Sequence, residues 1–135
     1  MKIEDHESAY KEHIQNIERA IDGGIEENQR NLAYNITQGA VEVCSIYLHK
    51  LNLIQGSGDQ LDHRIFKSRK KIQEKLPVEF PSKKEIIELL IKIESERNAL
   101  CYGTRKPKER IEKIIVSFNK LREIINKNLK EKNGK

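Results

Sequence analysis

The sequence predicts an all-α, single-domain protein spanning 1–135, folded as an antiparallel bundle of four to five helices. Apolar residues recur at three- and four-residue spacing along most of the chain, and nowhere at the two-residue period of a strand. Gly23-Gly24, Gly56 and Gly58, Pro77 and Pro81, and Gly103 with Pro107 interrupt that periodicity, as helix breakers do. Charged residues make up 35% and aromatics 5%, with Ile, Leu, Lys and Glu dominant, a balance that favours helices over strands. A chain of 135 residues can hide about two thirds of its unfolded surface, enough for one core and not two.

The first helix is predicted over 3–21, where Tyr10, Ile14, Ile17 and Ile21 share a face, and it stops at Asp22-Gly23-Gly24 with glycine in a left-handed cap. The connection is short, so the second helix, over 25–53, runs antiparallel to the first. Leu32, Ile36, Ala40, Val43 and Tyr47 make its apolar stripe, and Gln55-Gly56-Ser57-Gly58 breaks it. Its length makes it the spine. A third helix, capped by Asp59 or Asp62, reaches Leu76 through Leu61, Ile65 and Ile72, with the basic run 67–71 facing water. The fourth, over 82–103, opens on Ser82-Lys83-Lys84-Glu85, which reads as a capping box. The fifth begins near Pro107 and continues through Ile111, Ile114, Ile115, Phe118, Leu121 and Ile125, leaving 127–135 as a frayed polar tail.

A net charge of +5 favours an anionic partner such as RNA or a nucleotide, although 21 acids interleaved with 26 bases also describe an ordinary solvated helical surface. Cys44 and Cys101 form no CxxC pair and no Cys/His cluster, so two buried free thiols are expected and no metal site or cofactor. The acidic N-terminus lacks an apolar signal core and no stretch approaches the ~20 apolar residues of a span, so the expectation is a soluble cytoplasmic protein that does not enter a membrane.

One residue sits where the pattern does not want it. At about 100° per residue, Ile86, Leu90, Ile93 and Leu100 share a face of the fourth helix, and Arg97 falls in the middle of their arc. A guanidinium there must be paired or open onto a pocket. Asn98 sits one step around, between Ile87 and Ile91. The second helix carries a polar stripe of Asn35, Gln38, Glu42, Ser45 and His49 beside its apolar one, and Glu42 is the expected counter-charge. A buried Arg–Glu pair can simply fix helix register, and an unfilled polar hole in an apolar seam can hold a phosphate. A di-iron carboxylate site would need Glu followed three residues later by His on two helices, and none of the four histidines has such a Glu.

Glu96-Arg97-Asn98-Ala99-Leu100-Cys101-Tyr102-Gly103, at the end of a fourth helix and followed by a basic loop and a long amphipathic helix, resembles the HEPN family. The resemblance covers most of the layout, but its specific motif is short: an Arg, usually a polar residue beside it, and a His after four to six intervening residues. It implies a homodimer whose two Arg-centred motifs face each other across a cleft. It also implies an activity, metal-independent cleavage of RNA, common among toxins and antiviral effectors. Arg97 would then bind phosphate and stabilise the transition state, Asn98 would assist, and Glu42 would orient the Arg, with His49 or His63 as substitute bases. The departure is Tyr102, which stands where the His belongs. Tyrosine, with a pKa near 10, is a poor base at neutral pH, although it can donate a proton, stack on a base or simply end a helix. Thr104 occupies the position where members paired with a nucleotidyltransferase antitoxin carry a modified Tyr. Cleavage, RNA or nucleotide binding without cleavage, and a non-catalytic interaction or structural dimer are the three readings that follow.

Overall fold

The structure is a computed structural model and describes residues 1–54 and 61–133. All regular elements among these residues are helical: α1 (Ile3–Asp22), α2 (Gln29–Lys50), a 3-10 turn (His63–Lys67), α3 (Arg69–Lys75), α4 (Lys83–Ser95), α5 (Arg97–Tyr102) and α6 (Lys108–Asn133). The break expected at Gln55-Gly56-Ser57-Gly58, the Asp59 cap and residues 134–135 lie outside the described residues.

Helix α2 is the spine, touching α1, α4, α5, α6 and the 3-10 turn. Its predicted stripe is its core face: Leu32, Ile36 and Tyr47 are fully buried, with Ala40 and Val43 beside them. The polar stripe faces α1. His6 meets Glu42, His13 meets Asn35 and Asn28 reaches Ala20, a pairing order only antiparallel helices produce. The turn between them follows the expected chemistry, with α1 ending at Asp22 and the left-handed residue falling on Gly24 at φ 108°. Ile21 departs from its predicted face and is 41% exposed.

Helix α2 is shorter than the predicted 25–53 at both ends. It stops because Asn52 adopts a left-handed φ of 60°, and the Leu53 and Asn52 amides donate to the Leu48 and His49 carbonyls, closing a Schellman motif ahead of the glycines. The expected third helix is two pieces. Asp62 caps the 3-10 turn by accepting from the Arg64 amide, and Ser68, in extended backbone, starts α3 by accepting from the Lys71 amide. Ile65, Ile72 and Leu76 are buried there, as expected, and the basic run faces solvent.

The capping box at Ser82 is absent. Ser82 sits at φ 61° and its hydroxyl accepts from Asn128 of α6 instead of serving the amides of α4. The predicted fourth helix breaks at Glu96 into α4 and α5, and this break gives Arg97 its setting. Helix α6 continues to Asn133, so 127–133 is helical and not a frayed tail. Asn128 accounts for part of that order, because it also bonds Tyr47 and Pro81, fastening α6 to the core. No helix among the described residues is long and apolar enough to cross a membrane.

The Glu96 break is clamped by Arg110 of α6, whose Nε and Nη2 donate to both carboxylate oxygens at 2.8 and 2.9 Å. These bonds hold the Glu96 carboxyl below its ordinary range. A carboxyl depressed in the folded state stabilises the fold above its unfolded value, and that contribution is lost as pH falls through the depressed one. The thermal stability gap between the parent and Glu96→Gln is therefore expected to be constant from pH 7 to 5. It should close below about pH 4. A gap unchanged at pH 3 would mean that the side chain acts through packing and not charge.

Candidate functional site

Arg97 opens α5 and is 6% exposed, inside the arc of Ile86, Leu90, Ile93 and Leu100 where the wheel puts it. Its expected partner is wrong. Nη1 donates to the Thr37 hydroxyl at 2.7 Å, and the guanidinium lies over the Tyr34 ring, 5.6 Å from its centroid. Among the described residues no carboxylate comes within 4.0 Å of it. Nearby acids are already engaged: Glu94 binds His63 at 2.9 Å and Glu96 binds Arg110. Glu42 lies further along α2 and accepts from His6 at 3.1 Å. A guanidinium has five N–H donors. The ones that Thr37 does not take are not sealed in the protein, because the buried, unpartnered side-chain atoms among the described residues belong to His6 and His49. They therefore reach the surface.

Sequence reasoning missed Thr37, Tyr34 and His13. Thr37 and Tyr34 lie one turn apart on α2, and the Thr37 hydroxyl also donates to the Tyr34 carbonyl. Tyr34 is 47% exposed, so its ring is open to solvent while it supports the buried cation. The His13 ring lies edge-on to Tyr34, with centroids 6.3 Å apart. Asn35 fixes its tautomer. Asn35 uses its amide on Asn31, so its oxygen accepts from His13 Nδ1 at 2.8 Å and from Asn16 at 3.3 Å. With the proton on Nδ1, His13 keeps Nε2 as an acceptor. The available signal was a polar, aromatic α2 face opposite an α1 histidine.

Gln29 holds α5 in place. Its amide donates to the Leu100 and Thr104 carbonyls and its oxygen accepts from the Lys106 amide, tying the C-terminal end of α5 and the segment after it to the start of α2. Arg30 adds a bond to the Gly103 carbonyl. The other predicted site residues do not converge on Arg97. Asn98 is solvent-exposed, and Tyr102 is 69% exposed. Five residues along a helix is a turn of roughly 140° from Arg97, so Tyr102 points elsewhere. His49 sits with His6 and Glu42 at the far end of α2, and His63 is held by Glu94. Cys44 and Cys101 are buried free thiols, and burial pushes Cys44 up to about 12, far from a reactive thiolate.

The outcome is a three-helix cation site: α2 supplies a hydroxyl and an aromatic face, α5 supplies the charge, and α1 supplies an oriented imidazole. No protein-family model, no curated protein and no solved structure matches the chain.

Proposed function

We propose that the chain is a HEPN-like protein that binds RNA or a nucleotide through Arg97, in a cleft formed with a second copy. The observation that carries this reading is the uncompensated guanidinium: a buried, permanently charged group whose one hydrogen-bonding partner among the described residues is a neutral hydroxyl. Burying a charge without a counter-charge is costly, and an anion reaching the free N–H groups removes that cost. Phosphate matches the fork geometry of Arg, and the exposed Tyr34 ring beside it gives a base a surface to stack on. The net charge of +5 acts in the same direction.

The binding reading is favoured over cleavage by the placement of Tyr102, exposed and away from Arg97. A cleaving, toxin-like version, with an antitoxin or nucleotidyltransferase partner, would need a proton carrier near the guanidinium, and His13 is the described group whose tautomer suits it.

The test is fluorescence anisotropy with a labelled single-stranded RNA at ~50 mM salt, where phosphate contacts are strongest. Saturable binding that weakens steeply toward ~200 mM salt and disappears in Arg97→Ala supports the reading. Binding that survives Arg97→Ala rejects the site, and no binding at ~50 mM salt rejects the function. Sedimentation at micromolar concentration should return a dimer, and a monomer there would remove the shared cleft.

A further inference from the structure

At the opposite end of α2 from Thr37, the start of α1 packs against a second cluster that the Arg97 reading does not use. His6 is 2% exposed, and its ring centroid lies 5.3 Å from that of His49, with the planes inclined at 49°. Nε2 of each ring is buried and takes no hydrogen bond. The tautomers follow from what the other nitrogens do. His6 Nδ1 faces the Glu42 carboxylate at 3.1 Å, and a carboxylate only accepts, so Nδ1 carries a proton and in the neutral ring Nε2 is a bare lone pair. Burial lowers the His49 pKa, and a backbone hydrogen bond with Met1 works against that shift, which makes the ring a donor to that carbonyl. Because its Nε2 has no partner, the donor is Nδ1, and the second Nε2 is bare as well.

Two buried acceptors in one cluster cannot satisfy each other. They call for an electron-pair acceptor between them, and the arrangement around them is the one metal-bound histidines keep, with the distal N–H held by a carboxylate or a backbone carbonyl. The described residues assemble no group of three or more His, Cys, Asp and Glu fit to hold a metal, so a four-ligand zinc site is not built here. Copper(I), a d10 ion stable with two nitrogen donors, needs no third ligand. We propose that His6 and His49 form a two-coordinate copper(I) site through their Nε2 atoms, with Glu42 and the Met1 carbonyl as the groups that orient the rings. The site joins the start of α1 to the end of α2, and it stands apart from the Arg97 centre. This also gives Glu42 a role other than the counter-charge expected for Arg97.

The experiment is titration of the full chain with copper(I) under anaerobic, reducing conditions, using bicinchoninate as competitor. Imidazole nitrogen resonances are followed in parallel by long-range proton–nitrogen NMR. One equivalent is expected to bind and to shift the Nε2 resonances of His6 and His49, leaving those of His13 and His63 in place. Uptake should be lost in His6→Gln/His49→Gln and kept in Cys44→Ser/Cys101→Ser, and Glu42→Gln should weaken it about 10- to 100-fold. Uptake that survives loss of both histidines, or that vanishes with the cysteines, overturns the assignment. The parent chain alone also decides, should a variant fail to fold: unchanged His6 and His49 resonances at one equivalent reject the site. Zinc(II) shifting those resonances where copper(I) does not would reject two-coordination.

Discussion

Replacing Arg97 with methionine is expected to abolish RNA or nucleotide binding while leaving the fold at least as stable as the parent. A buried Arg that only fixed helix register would behave in the opposite way, since removing one partner of a buried pair leaves an uncompensated charge and costs about 3–5 kcal/mol. Among the described residues there is no such partner. Thr37 Oγ1 accepts from Arg97 and also donates to the Tyr34 carbonyl, so the methionine variant leaves no donor stranded. Methionine fills the same seam between Ile93 and Leu100 without the desolvation cost of a charge. A gain of about 1–2 kcal/mol, seen as a melting temperature raised by roughly 3–8 °C, is the expected magnitude. Binding should fall by at least about 100-fold, the scale of a charge-assisted contact worth 1.5–3 kcal/mol together with the anion it organises. A variant that binds like the parent, or that loses several kcal/mol of stability, would make Arg97 a structural residue.

Periodicity reveals which residues are buried far better than it reveals what they bond. The apolar stripes of α2, α4 and α6 were legible because burial of one helical face imposes a three-four spacing that survives in the sequence. Arg97 was legible for the same reason, as an exception to that spacing. Its partner was not, because the polar stripe of α2 offers several groups at one azimuth, and axial position decides among them. Thr37 lies level with Arg97, and Glu42 lies more than one turn further along, level with His6. The Ser82 capping box failed for a comparable reason. The spacing of Ser and Glu was right, but Asn128, 46 residues away, claims the Ser82 hydroxyl. The Asn52 terminator was invisible because a left-handed asparagine looks like any other polar residue until the Leu48 and His49 carbonyls have been assigned their donors. The His6–His49 pair has no sequence signal, since its members sit on different helices with no shared motif.

The largest effect on stability is expected at Phe118, where α6 crosses the spine. The side chain is 1% exposed, and its ring edge lies 3.3 Å from where a Cβ on Gly39 would be, so a side chain at position 39 would press on the ring and its neighbours would have to give by a few tenths of an ångström. Arg122, one turn on, covers the ring at 5.5 Å and donates to Tyr10 of α1, so three helices meet at this point. Phe118→Ala removes a buried ring and leaves a cavity that rigid neighbours cannot fully close, at a cost of about 3–5 kcal/mol. That is a third or more of the total for a marginally stable domain at the lower end of the usual 5–15 kcal/mol. Urea denaturation should show the midpoint falling with the slope unchanged, while Val116→Ala, at a position 65% exposed, should stay within about 0.5 kcal/mol of the parent. The geometry makes a sharper demand. Gly39→Val alone overpacks the crossing and should cost about 1–3 kcal/mol, but added to Phe118→Ala it grows into the space the ring has left. The double variant should therefore be more stable than the two single losses predict, by about 0.5–3 kcal/mol. Strict additivity would show that Gly39 and Phe118 do not touch and that α6 crosses α2 elsewhere.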